Sequence, residues 1–155
     1  MRFPGARLAL AAVFGAGLWP QPASANSDRP YDVALIPACV AAAGASRPAV
    51  EACKGAGAGP CPASDDGVIG LVLCWDAEAS SWRDVLDRAY AQRRAAEPQR
   101  RRSLGRAQAA WARWRDVECA YRGDEEDGGS GAQVDQARCI ADMTADRAID
   151  LLHRS

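Results

Sequence analysis

The sequence predicts an all-α fold: a small antiparallel three-helix domain with a disulfide-rich N-terminal extension. Three observations lead there. Apolar residues recur at spacings of three and four along three stretches between residues 64 and 153, the period of an amphipathic helix face. No stretch alternates apolar and polar residues with period two between turn pairs, so no strand is predicted. Six cysteines, an even number, point to a disulfide framework in an exported chain.

The first 25 residues read as a secretory signal peptide. Arg2 and Arg7 form a charged start, residues 8–18 a short apolar run, and Ala23-Ser24-Ala25 a small-x-small cleavage site. The run is too short to span a bilayer as a mature helix. Cleavage before Asn26 turns 155 residues at formal charge −1 into 130 at −3, because only two arginines are lost. No cysteine follows the run as a lipid anchor requires, and no later stretch reaches ~18 uncharged apolar residues. A periplasmic or secreted protein with no membrane span in its mature chain is expected.

Residues 26–63 form the extension. The segment is rich in Ala, Gly and Pro and carries Cys39, Cys53 and Cys61. Residues 33–43 and 48–52 read as short helices, and Gly55-Ala56-Gly57-Ala58-Gly59-Pro60 interrupts any regular element. With few bulky apolar residues, the extension is expected to depend on disulfides for order.

Residues 64–153 form the helical domain. Ser64-Asp65-Asp66 is a plausible cap, after which Leu71, Trp75, Ala79, Trp82, Leu86 and Tyr90 line one helix face. Pro98 ends this helix or opens the next. The second helix carries Leu104, Gln108, Trp111, Arg115 (or Trp114), Cys119 and Tyr121. A loop from Gly123 to Gly131 holds the acids Asp124, Glu125, Glu126 and Asp127. The third helix carries Ala137, Ile140, Met143 or Thr144, Arg147, Ala148 and Leu151. Of Cys39, Cys53, Cys61, Cys74, Cys119 and Cys139, the favoured pair is Cys119–Cys139, which joins two helix ends across the acidic loop; the other four stay unassigned. Closing a loop of this length stabilises by ~3 kcal/mol in the chain-entropy model.

Composition narrows the function. Near-neutral charge gives no electrostatic case for nucleic acid. The single histidine, His153, lies at the chain's end and is assigned no role, which leaves Ser-His-Asp and Cys-His catalysis without a base. The cysteine spacings contain no C-x-x-C, so no metal or cofactor site is expected. Glu78, Asp84, Asp87, Asp116 and Glu118 are carboxylates of the kind glycosidases pair, but among arginines on helices they read as surface ion pairs. Arg93, Arg94, Arg100, Arg101, Arg102 and Arg106 crowd the first helix junction, as a solubilising face or as a site for envelope phosphates and acidic glycans. The tryptophans of the helices read as core, with Trp114, off the main stripe, as the one suited to anchor a partner. The acids Asp124, Glu125, Glu126 and Asp127 suit a basic protein surface.

Residues 74–90 read C-x-x-x-E-x-x-x-W-x-x-x-L-D-x-x-Y, and residues 108–119 read Q-x-x-W-x-x-x-R-D-x-E-C. A Gly-rich loop and C-x-x-x-x-T-x-x-R at Cys139, Thr144 and Arg147 follow. In this order the motifs resemble the lysozyme inhibitor LprI-like family, small exported helical domains of bacteria. The resemblance covers about residues 74–153. Arg83 stands where the family often has Asp, and Asp87 where it often has Asn. The cysteine-rich N-terminal part looks like an extension found in only some relatives.

The resemblance implies a non-enzymatic binding protein with no cofactor. Its expected partner is lysozyme or another envelope or extracellular protein or glycan. An inhibitor of lysozyme-type muramidases is the leading expectation; the alternative is a structural or stress-related envelope module that inhibits nothing. Glu78, Trp82, Tyr90, Gln108, Trp111, Arg115, Asp116, Thr144 and Arg147 carry the family motifs and read as fold determinants. Trp111 and Arg115, four apart, can stack. Glu78 and Arg147 are candidate partners for Arg115 and Asp116 in an interhelical network.

Overall fold

A computed structural model of the chain describes residues 31–58, 67–124 and 129–154. The signal segment 1–25, Asn26, Cys61, the cap at 64–66 and the acids Glu125, Glu126 and Asp127 lie outside the described residues. Among the described residues the fold is all-helical, with five α-helices: α1 (Leu35–Ala43), α2 (Arg47–Glu51), α3 (Gly67–Ala96), α4 (Arg101–Asp124) and α5 (Ser130–His153). No described helix is long and apolar enough to cross a membrane.

Local chemistry accounts for the boundaries. Ser46 caps α2 by accepting from Ala49 N, with Pro48 in the first turn where its missing N–H costs nothing. Pro98 opens a single 3₁₀ turn, Pro98–Arg100, between α3 and α4. The α4–α5 loop is shorter than the sequence suggests. Gly123 and Asp124 are the last turn of α4, and Ser130 and Gly131 the first of α5. Gly123 is helical because it faces α5 at close range: a Cβ there would stand 3.3 Å from Ala132 O.

The long helices pack through α5. Trp75 lies against Arg138 and Arg93 donates to Leu151 O, so α3 and α5 run in the same direction. Cys119 bonds Cys139, Arg115 meets Thr144 and Arg147 meets Gln108, so α4 runs against α5. The main core joins Trp82, Val85, Leu86 and Ala89 of α3 to Ala145, Ala148, Ile149 and Leu151 of α5.

The extension shares that core. Ile36 of α1 and Val50 of α2 are fully buried in the same cluster. The Cys39–Cys53 bond ties α1 to the turn after α2, and Ile36 and Val50 add a docking contact that the expectation of disulfide dependence did not include. Lys54–Asp146 (2.8 Å) and Arg47–Asp150 (3.0 Å) add surface pairs to α5, of a kind that contributes little to stability. Cys74 is also disulfide-bonded, and none of the described cysteines is free.

A second cluster holds Tyr31, Ala58 and Cys74. The Tyr31 ring covers Gly57, where any Cβ would collide with it. The Tyr31 hydroxyl is buried and completes no hydrogen bond of good geometry. Ser81, nearby, donates to Ala77 O (3.1 Å) and Val33 O (3.4 Å). Burial pushes the Tyr31 phenol up to about 12; the Ser81 hydroxyl opposes the rise, and Glu78 and Asp32 add to it. The unfolded chain releases this proton near pH ~10 and the native state holds it, so the stability it contributes is whole below that pH and is lost as pH rises toward the folded value. Tyr31→Phe should therefore flatten the fall in urea midpoint between about pH 8 and about pH 11. An equal fall in both proteins would contradict this account.

Candidate functional site

Six of the motif residues meet at the α4–α5 interface. The α-helical period places Gln108, Trp111, Arg115 and Cys119 on one face of α4, opposite Cys139, Met143, Thr144 and Arg147 of α5. Trp111 receives two guanidinium groups, Arg115 at 5.2 Å and Arg147 at 5.8 Å from its ring. Arg147 Nε donates to Gln108 Oε1 at 2.9 Å. Burial lowers the Arg147 pKa; Arg154 lowers it further and Asp150 opposes. Arg115 donates to Asp116 Oδ1 from Nε (3.0 Å) and Nη2 (2.7 Å), and from Nη1 to Thr144 Oγ1 (3.3 Å). Thr144 is fully buried, and its hydroxyl donates to Ile140 O at 2.6 Å. The network thus meets the requirement that buried polar groups be hydrogen-bonded.

Two expected members lie elsewhere. Glu78 does not reach Arg115 or Asp116. It is buried and accepts from Gly55 N (2.5 Å), Ala58 N (2.7 Å) and Trp82 Nε1 (3.3 Å). The turn after α2 presents backbone N–H groups that need acceptors, and Glu78 is the side chain α3 places there. Arg147 does not pair with Asp116 either: its Nε is held by Gln108, about two turns before Asp116 on α4. Tyr90 stands apart with Arg94 over its ring at 5.7 Å.

The outer face of α4 carries three exposed apolar or aromatic side chains. Trp114, Val117 and Tyr121 are 57%, 70% and 60% exposed. Their spacings of three and four make one stripe, roughly 10 Å long at the α-helical rise. Tyr121 is thus not on the packing face where the sequence reading placed it. It lies two residues, about 200°, from buried Cys119, and the packed face continues to Gly123 instead. Beside Trp114 a cavity of about 200 Å³ is lined by Trp111, Met143, Asp146, Arg147 and Asp150. Asp116 and Asp146 expose most of their side chains, while Lys54 and Arg47 of the extension answer Asp146 and Asp150. Asp124, exposed, ends α4 on the way to the acidic loop.

This face sets an exposed tryptophan beside a cavity lined by two aspartates. The carboxylates weighed for acid–base work are dispersed. Glu78 is held on backbone N–H groups, Asp116 by Arg115 and Glu118 by Arg122, and Asp84 and Asp87 are exposed on α3. His153 lies in the last turn of α5, with Nε2 buried and without a hydrogen-bond partner among the described residues. Val117, Asp146 and Asp150 were not anticipated. The 114–117–121 spacing signals Val117, but the two aspartates come to lie beside Trp114 only through the packing of α5 on α4.

A family model described as Lysozyme inhibitor LprI matches residues 61–151. No curated protein and no solved structure matches the chain.

Proposed function

Because the chain belongs to the lysozyme inhibitor LprI family, we propose that it is an exported, non-enzymatic binding protein that inhibits a lysozyme-type muramidase. In this reading residues 1–25 are removed on export, 64–153 are the family domain of three antiparallel helices, and 26–63 are an extension docked on it. The disulfides suit an oxidising compartment outside the cytoplasm.

The family match carries the reading, and the exposed side chains of α4 give it a surface. Lysozymes of the animal type are cationic, with a cleft lined by carboxylates. Acids complementary to such a surface are Asp146 and Asp150, which line the cavity beside Trp114, and Asp124, Glu125, Glu126 and Asp127, which follow on from α4 in sequence. Such complementarity raises the association rate, while a buried aromatic anchor sets the dissociation rate.

A lysozyme activity assay at micromolar protein and low salt tests the proposal. Inhibition is expected, weakening as salt rises because exposed charges are screened. Trp114→Ala should fold normally and raise the half-inhibitory concentration roughly thirtyfold, as loss of an interface anchor does. No inhibition by the unsubstituted protein at low salt would sink the reading.

A further inference from the structure

The arginines at the α3–α4 junction divide into two groups. Arg93 and Arg100 both answer Glu97, at 3.3 and 3.4 Å. Arg94, Arg101, Arg102 and Arg106 instead line a groove of about 740 Å³ with Tyr90, Gly105 and Ala109. No carboxylate lines that groove, and none of these four arginines forms an ion pair among the described residues. Two are held in place: Arg94 lies over the Tyr90 ring, and Arg101 Nε donates to Arg94 O at 2.8 Å. Arg102 and Arg106 follow on the first turns of α4, four residues apart, a spacing at which like charges repel. Cations are also disfavoured at a helix start. Four arginines with no carboxylate partner among the described residues thus line one groove.

We infer that this groove binds a water-soluble polyanion bearing repeated phosphate groups. A guanidinium fork matches either a carboxylate or a phosphate. A carboxylate presents its acceptor sites in one plane, whereas a phosphate presents oxygens around a tetrahedron, so guanidinium groups on different sides of a groove can reach it together. Arg102 and Arg106, about one turn apart on α4, can then share one phosphate. The groove's size accommodates several such groups in a row. Its lining of Tyr90, Gly105 and Ala109 offers no exposed bulky apolar side chain to enter a bilayer, which favours a dissolved polymer over a lipid headgroup. A cationic muramidase would be repelled here, so the groove and the Trp114 face take different partners.

Calorimetric titration of the full chain with inorganic polyphosphate at low salt is the test. Binding is expected, weakening as salt rises. The double variant Arg102→Gln/Arg106→Gln should weaken it by about tenfold or more, as loss of charge-assisted bonds does. Arg122→Gln/Arg138→Gln removes the same charge from exposed arginines that pair with Glu118 and Asp142, and should leave affinity within about twofold. Circular dichroism checks that both variants fold. Equal loss in the two variants would reduce the effect to net charge and overturn the site. Equally tight binding of poly-glutamate would overturn the phosphate assignment. Tighter binding to phosphatidylglycerol vesicles than to polyphosphate would overturn the dissolved polymer as ligand. No binding to polyphosphate at millimolar phosphate would overturn the whole inference.

Discussion

Trp82→Ala should destabilise the protein by about 3–5 kcal/mol, the range for removing a large aromatic side chain from a core. Trp82 is fully buried where α1, α2, α3 and α5 meet, clustered with Ile36, Val50, Leu86 and Ile149. Much of the remaining core is alanine: Ala89, Ala145 and Ala148 are all buried. Methyl groups on a fixed helix backbone cannot move in to fill the space, so the cavity term adds to the lost transfer energy. The change also removes the indole N–H that donates to Glu78. A loss of this size is a large part of the ~5–15 kcal/mol that holds a typical domain. Urea unfolding followed by circular dichroism measures it. Trp114→Ala, an exposed truncation, should fall within about 0.5 kcal/mol of the unsubstituted protein. Near-equal midpoints for the two alanine variants would refute the packing account.

The long helices were legible because each repeats its apolar residues over many turns. Leu71 to Tyr90 keep one face over five intervals, and that face packs with only its ends, Leu71, Trp75 and Tyr90, half-exposed. The docking of the extension was not legible. Val50 is the one bulky aliphatic residue of its short helix, and Ile36 stands among Val33, Leu35 and Val40, of which Val33 and Leu35 are exposed, so a run this short does not say which side docks. Tyr121 shows a different failure. An aromatic residue near a buried cysteine reads as core by composition, yet two residues along a helix reverse the face. The α4–α5 network was partly legible. The Trp111–Arg115 pair follows from spacing within one helix, whereas Gln108–Arg147 and Arg115–Thr144 depend on how far α4 slides along α5. The acidic aspartates beside Trp114 belong to the same category, since nothing local relates residue 114 to residues 146 and 150.

Glu78 is the sharpest case of a residue whose type suggested one role and whose surroundings assign another. Replacing it with Ala should cost about 3–5 kcal/mol, because it strands three donors that have no other acceptor in place. The carboxylate accepts from Gly55 N and Ala58 N, one on each oxygen, and from Trp82 Nε1. Truncation leaves these donors buried with no acceptor, and each such orphan costs about 1–3 kcal/mol. Glu78→Gln should fall between. Its amide keeps one acceptor oxygen but turns an NH₂ donor toward a backbone N–H donor, so one of the two backbone bonds becomes a repulsion. The order Glu, Gln, Ala in urea midpoint is therefore expected, and Gln at the level of Glu would show that only shape matters there. Amide hydrogen exchange adds a local reading. Gly55 and Ala58 should exchange faster in both variants, because the turn that Glu78 holds is the first part of the extension to loosen. A carboxylate kept for chemistry would behave in the opposite way: its removal abolishes turnover and leaves the turn at 55–58 untouched. Lysozyme inhibition by the folded fraction should survive Glu78→Gln, since Glu78 is on α3 with its contacts in the extension and the Trp114 face is on α4.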